Sequence, residues 1–273
     1  MAQDPPGSSP TRVQPFFTTL LHRDAAGGSW LPALLRASPY GEARLGDLID
    51  APGWLQTQLA VRTASGLLGC FQYPAPPPRE LLAWFIEHPE ELVWPPGAQM
   101  SADMGRLRRA LIDDDPPGSR PRAQERAREL LRKRSALSRE WWRFEEMTQL
   151  DCVLITERLV IAVEGNRTGR LEPATEWYPQ RSRLAHDLEA AKRLADGKRW
   201  FSLILTEELL PDADDAHVER TLVAATPHLD PAQQRELRDG YLGNLTWEAA
   251  FAAVGIPWGS LPQTIADLDA VSK

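Results

Sequence analysis

The sequence predicts an α/β fold, with a small mixed sheet between helices and further helices flanking it at both ends. Three observations predict this. The first is the segment from Gln149 to Asn166, where two apolar runs flank Glu157-Arg158. With those two residues as a tight turn, Ile155 faces Val160, Val153 faces Ala162 and Asp151 faces Glu164. One face then carries Val153, Ile155, Val160 and Ala162, and the other Cys152, Leu154, Leu159, Ile161 and Val163. A strand pair apolar on both sides belongs in the middle of a layered structure. The second observation is a helix and a strand just beyond the hairpin. Leu184, Leu188, Ala191 and Leu194 form a stripe at helical spacing within residues 180–196. Gly197 ends that helix, and Trp200–Leu205 reads as the next strand. Strand, helix, strand in this order predicts a right-handed crossover and a parallel pairing. The third observation is the helical patterning on either side of this unit.

Taken in order, residues 1–12 are rich in Pro, Gly and Ser and are expected to be a disordered tail. Residues 13–115 read as mainly helical. Arg79–His88 is one clear helix after Pro76–Pro78, and Ser101 is placed to cap another that runs to Ile112. Asp113–Gly118, with its paired prolines, breaks the pattern and marks a boundary between 13–115 and a sheet-bearing region at 116–273. A long helix is expected from about Arg120 to Glu146, with a break at Ser135 or Ser138. Residues 165–179 read as a loop. Beyond the last strand, helices are expected over 216–225, 231–240, 247–254 and 261–271, and no internal repeat occurs.

Composition narrows the functional classes. A chain of 273 residues can bury a substantial core in one or two domains. No apolar run approaches the ~18 residues needed to span a bilayer, so no membrane association is expected. The first residues have neither the basic start nor the apolar core of a signal peptide. Cys70 and Cys152 are the only cysteines, and no Cys/His spacing suits zinc. Both facts fit a cytoplasmic protein. The net charge is −7, yet about 12 basic residues face 6 acidic ones between Arg106 and Arg143. Between Arg158 and Arg199 the balance is about 9 to 6, which leaves roughly −16 for the rest of the chain. Basic residues thus gather around the hairpin, as a phosphate-tracking surface requires or as one solvated helix face would also give. Trp141 and Trp142 are adjacent, so on a helix at most one faces the core. The other is free to stack on a base or to pack under the N-terminal helices. Trp177 and Tyr178 lie in the loop after the hairpin, where a packing role is expected.

The polar atoms of the hairpin gather at the end away from its turn: Gln149, Asp151, Glu164 and Asn166. In the expected register Gln149 pairs with Asn166, and the two carboxylates lie opposite with Cβ atoms roughly 5 Å apart. Like charges so placed call for a cation or a shared proton. Two strand-borne carboxylates holding a divalent metal make a site that can cleave phosphodiesters.

Arg143–Asp151 together with Val163-Glu164-Gly165-Asn166-Arg167 resembles the core of the PD-(D/E)XK nuclease superfamily, which has the restriction-endonuclease-like fold. Thr175–Glu189 is similar to the helix after the Glu-x-Lys strand in one bacterial branch. The resemblance covers roughly residues 135–210. It implies an α/β/α core and a metal-dependent nuclease acting on DNA. It further implies that Asp151, Glu164 and Asn166 are catalytic. Asp151 and Glu164 would hold Mg²⁺ or Mn²⁺, with Glu145 (or Glu146) from the preceding helix. Arg167, Arg181 and Arg183 would face the substrate backbone. Two positions depart from the pattern. Asn166 stands where the family carries its lysine, and Arg183 where this branch tends to carry an amide. Lys192 or Lys198 would replace the missing base only if the helix bearing them returns toward the acids. The alternative is an inactive nuclease-fold module that binds nucleic acid or a protein partner, and oligomeric state is left open.

Overall fold

A computed structural model describes residues 12–51, 54–55, 60–62, 73–133, 140–166, 173–210 and 215–258. Within them the chain is mixed α/β, with ten α-helices and a five-stranded sheet. Helices α1 (Gln14–Arg23), α2 (Leu31–Ala37) and α3 (Gly41–Ile49) precede strands β1 (Ala60–Arg62) and β2 (Tyr73–Ala75). Helices α4 (Arg79–Glu87), α5 (Ala102–Ile112) and α6 (Arg120–Lys133) come next. Then come β3 (Thr148–Leu150), β4 (Cys152–Ile155), β5 (Leu159–Gly165), α7 (Arg183–Leu194) and β6 (Arg199–Thr206). Helices α8 (Asp215–Ala225) and α9 (Pro231–Asp239), strand β7 (Tyr241–Thr246) and α10 (Trp247–Ala253) complete the described chain.

The hairpin β4–β5 has the register read from the sequence. Cys152 pairs with Val163, Val153 with Ala162, Leu154 with Ile161 and Ile155 with Val160. Glu-Arg is a poor pair for such a turn, but Thr156 compensates. Its Oγ1 accepts from the Arg158 and Leu159 amides at 3.2 and 2.9 Å, so the loop's donors are met by a side chain. The sheet order is β1-β4-β5-β6-β7, antiparallel from β1 to β5 and parallel from β5 to β7.

Both faces of the sheet are covered, as the two-sided apolar pattern requires. On one side Phe16, Phe17, Leu34, Leu45, Trp247 and Phe251, from α1–α3 and α10, pack on Leu154, Ile161, Val163 and Leu203. On the other side α7 lays Ala190 and Ala191 over Val153, Val160 and Ala162. Leu184 and Leu188 of the same helix pack with Ile204 and with α8 and α9. Fully burying each such Leu, Ile or Phe contributes about 1.5–3 kcal/mol. A separate apolar cluster joins α4, α5 and α6 to Trp141, Trp142, Phe144 and Tyr178. The boundary drawn at 115/116 therefore falls between two helices, α5 and α6, that share one cluster. Arg12, assigned to the tail, is buried and pairs with Glu207 at 2.7 Å. Residues 1–11 lie outside the described residues.

Four expectations are corrected. The helix expected to reach Glu146 is α6, described to Lys133, and residues 140–146 are turns. Trp141, Trp142, Arg143, Phe144 and Glu145 are consecutively buried, which a helix with one solvent face cannot achieve. Arg108 supports the irregular backbone by donating to the Trp141 and Arg143 carbonyls at 2.8 and 2.9 Å. Both tryptophans pack inward, so neither is presented to a base. Second, residues 241–246 form β7 rather than a link between helices. Third, Gln149 pairs with Pro74 in a small β2–β3 ribbon, not with Asn166. Fourth, α7 starts at Arg183 rather than Gln180, because the Ser182 hydroxyl caps it by accepting from the Ala185 amide at 3.1 Å. The helix expected over 261–271 lies outside the described residues.

Candidate functional site

Asp151 sits where the chain leaves the β3 ribbon and enters the main sheet. The hairpin register ends at Cys152–Val163, and one step further along it Asp151 comes opposite Glu164 on β5; Glu164 shares the strand face of Ala162 and Val160, which α7 covers. The Gly165 amide donates to Asp151 Oδ2 at 3.0 Å, which fixes that carboxylate across the strand pair. Both acids are buried. Gly165 itself is required by close approach. A Cβ there would meet Val13 Cγ2 at 2.2 Å and Trp247 Cζ2 at 2.9 Å. Packing of α1 and α10 against the end of β5 thus holds Glu164 in place from behind.

The third wall comes from α7. Arg183, its first residue, donates from Nη2 to the Gln149 carbonyl at 2.5 Å and to Glu164 Oε2 at 3.2 Å. Its Nε lies 3.5 Å from Oδ1 of Asp187, one turn further along the helix. Arg183 thus contacts two carboxylates, Glu164 and Asp187, and feels the charge of Asp151, while His186 Nδ1 lies 3.4 Å from Asp187 Oδ1. The electrostatics register the excess. Burial, then Asp187 and Asp151, push the Glu164 carboxyl well above the usual carboxylate range, against the pull of Arg183. Burial lowers the Arg183 pKa, but the three acids outweigh it and keep the guanidinium firmly charged.

The other expected site residues are placed elsewhere or differently. Asn166 extends β5, with its amide donating to the Leu205 carbonyl at 2.7 Å and its carbonyl accepting from Trp247 Nε1 at 3.2 Å. Arg167 lies outside the described residues. Arg181 is fully buried and does not reach the acids above. It binds Glu145 through Nε at 2.7 Å, Glu189 through Nη2 at 2.5 Å and the Ala225 carbonyl through Nη1 at 3.2 Å. Glu145 is neither on a helix nor at the acidic pair, because Arg181 holds it. Glu146 lines a cleft of about 400 Å³ with Arg108, Arg143 and Trp177, whose lining includes none of the three acids. Lys192 pairs with Glu236 at 2.7 Å, and Lys198 donates to the Thr156 carbonyl at 2.9 Å, at the far end of the hairpin. Neither supplies the missing lysine.

Asp187 is a site residue that sequence reasoning missed. A signal for it exists. It stands three residues after Leu184, on the face carried by Leu184, Leu188 and Ala191, and an acid inside an apolar stripe is an anomaly that calls for a partner.

Among the described residues no three His, Cys, Asp or Glu side chains stand arranged to hold a metal ion. The donor chemistry nonetheless fits a hard divalent cation. The groups are oxygen donors, one guanidinium feels the charge of three carboxylates, and Asp187 Oδ2 is buried with no hydrogen-bond partner. Among the described residues no helix is long and apolar enough to cross a membrane. Comparison with known proteins finds no match among family models, curated proteins or solved structures.

Proposed function

We propose that this chain is a restriction-endonuclease-like domain that hydrolyses DNA phosphodiester bonds with Mg²⁺ or Mn²⁺. The carrying observation is the placement of Asp151 opposite Glu164, on one face, buried and over-supplied with negative charge. The order antiparallel hairpin, helix, parallel strand supports the same reading.

Asp151 and Glu164 are the residues that would hold the metal. A bound divalent ion supplies Lewis acidity toward the phosphate and a water of lowered pKa. The chain's own residues do the rest. The Gly165 amide orients Asp151, and the close approach of Trp247 to Gly165 orients Glu164. Asn166, two residues beyond Glu164, points to the same face and can position a water by hydrogen bonding but cannot take its proton. Arg183, partly exposed at the rim, can meet phosphate charge. Helix α6 presents Arg122, Arg126, Arg132 and Lys133, interspersed with Glu125 and Glu129, as a surface for the DNA backbone.

The test is cleavage of plasmid and linear DNA with Mg²⁺ or Mn²⁺. Activity abolished by Asp151→Ala supports the reading, and no cleavage by the parent protein contradicts it.

A second reading is favoured by one observation: Arg183 seated against Glu164 and Asp187, together with Asn166 in the lysine position. On that reading the domain binds nucleic acid or a protein without cutting. Asn166→Lys separates the two. Cleavage gained only in that variant marks a decayed enzyme, and cleavage by the parent removes this alternative.

A further inference from the structure

We propose that the cleft of about 400 Å³ between the loop before α5, the turn at residues 143–146 and the loop at residues 173–177 binds a nucleoside 5′-monophosphate group. Its lining includes none of Asp151, Glu164 and Asp187, so the inference stands apart from the metal-dependent reading above.

Two buried cations carry it. Arg108 and Arg143 both line the cleft, and both are buried. Arg108 donates through Nε and Nη2 to the Trp141 and Arg143 carbonyls, and through Nη1 to nothing among the described residues. Those carbonyls meet part of its donor capacity and none of its charge. Glu146 is the one carboxylate whose charge acts on Arg108, and no ion pair joins the two. Burial lowers the Arg108 pKa to about 10, which leaves the group charged at neutral pH. A buried cation without a counter-charge is costly. An anion entering the cleft supplies that charge, and two guanidiniums match a phosphate monoester.

The rest of the lining suits a planar base. The Arg108 guanidinium lies over the Trp177 ring at 4.3 Å, and Trp177 meets Phe144 edge-on at 5.3 Å. These rings and Met100 give the cleft an aromatic and apolar wall beside the two cations. Bases of any identity stack on such a wall. The volume is larger than an inorganic anion fills and falls in the range of small-molecule sites. Glu146 and Glu176 are exposed at the rim and repel further negative charge, so one phosphate fits better than a polyphosphate.

The three segments are tied to one another. The Val93 amide donates to the Trp177 carbonyl at 2.9 Å, and the Thr175 hydroxyl donates to the Phe144 carbonyl. The Ala174 amide donates at 2.8 Å to the carbonyl of the buried Arg181. Trp94 packs edge-on against Trp177 at 5.1 Å. A cleft fixed in this way loses little freedom when a ligand enters.

The test is NMR of the whole protein carrying ¹³C-methyl methionine, titrated with dAMP in EDTA, with calorimetry alongside. The chain has four methionines, and among the described residues only Met100 lines the cleft, so Met100→Leu assigns its signal. The account expects dAMP to shift that signal saturably. Deoxyadenosine and inorganic phosphate should each bind roughly tenfold more weakly, and Trp177→Leu and Arg143→Gln should each weaken dAMP roughly tenfold. A 5′-phosphorylated oligonucleotide that also shifts the signal, where its unphosphorylated form does not, marks a DNA end as the source. A shift with dAMP alone marks the free nucleotide. Absence of dAMP binding, binding that leaves the Met100 signal unmoved, or inorganic phosphate held as tightly as dAMP would overturn the proposal. So would parental dAMP affinity in Trp177→Leu, a result that stands even if Arg143→Gln fails to fold. EDTA removes divalent metal, so none of these outcomes bears on Asp151 and Glu164.

Discussion

Two arginines, the buried Arg181 and the half-buried Arg183, stand two residues apart and meet opposite circumstances. Arg181 has no exposure and is bracketed by Glu145 and Glu189, with the Ala225 carbonyl taking a third contact. His228 Nε2 adds a 2.8 Å contact to Glu189. Burial raises the Glu189 pKa, but Arg181 and His228 outweigh it and bring the carboxyl down to about 2. Arg183 feels the charge of three acids at the rim of the sheet, and Glu164 beside it is driven up rather than down. The first cluster is fully buried and joins the loop before β3, helix α7 and the end of α8. The second is over-supplied with negative charge and opens outward. Similar residue types thus serve as a structural tie in one place and as an unsatisfied site in the other, and the sign of the carboxylate shift tells them apart.

The largest way to break the contrast is at Arg181. Arg181→Ala strands two buried carboxylates and should cost about 3–5 kcal/mol, read from the urea midpoint at neutral pH. A loss below about 1 kcal/mol would show that the tie is not structural.

Next in size is a matched pair. Glu189→Gln should destabilise by about 2–3 kcal/mol, because it removes a charged hydrogen-bond partner from Arg181 and His228. Glu164→Gln should be neutral or stabilising by about 1 kcal/mol, because it relieves repulsion among the three acids. Equal losses in the two variants would erase the distinction.

The pH dependence sharpens it. Glu189 is depressed from its usual 4.5 to about 2 when folded. Its stabilisation is present above the unfolded value and is lost as pH falls through that window, by about 3 kcal/mol in all. Glu164 is raised in the folded state. Its favourable contribution is present below the unfolded value and is lost as pH rises through the folded one. Urea midpoints measured across pH should therefore flatten on the acid side in Glu189→Gln and on the alkaline side in Glu164→Gln.

The smallest effect serves as a control. Thr156→Val, at the far end of the same hairpin, removes the two hydrogen bonds that hold the turn and should cost about 1 kcal/mol. It should leave the pH profile and any Mn²⁺ response unchanged.

Much of this was legible in the sequence where a pattern is local and periodic. The hairpin register comes from apolar pairing about a two-residue turn, and the parallel placement of β6 from the helix between two apolar strands. Those two facts bring Asp151 and Glu164 together. What escaped depends on tertiary context. The run from Trp141 to Glu145 looks helical because its residue types are compatible with a helix, but five consecutive buried side chains require turns. Strand β7, with Gly243 and Asn244 at its centre, lacks the aromatic and aliphatic pattern that marks Trp200–Leu205 in β6. The roles of Glu145 and Arg181 were set by each other, across 36 residues of sequence that no spacing rule spans. Asp187 was the exception, readable as an acid in an apolar stripe.

The most direct test of the central claim is a crystal of the parent protein grown with Mn²⁺ and measured for anomalous scattering. The account predicts a peak bounded by the carboxylates of Asp151 and Glu164. A map with no peak there at saturating Mn²⁺ would contradict it.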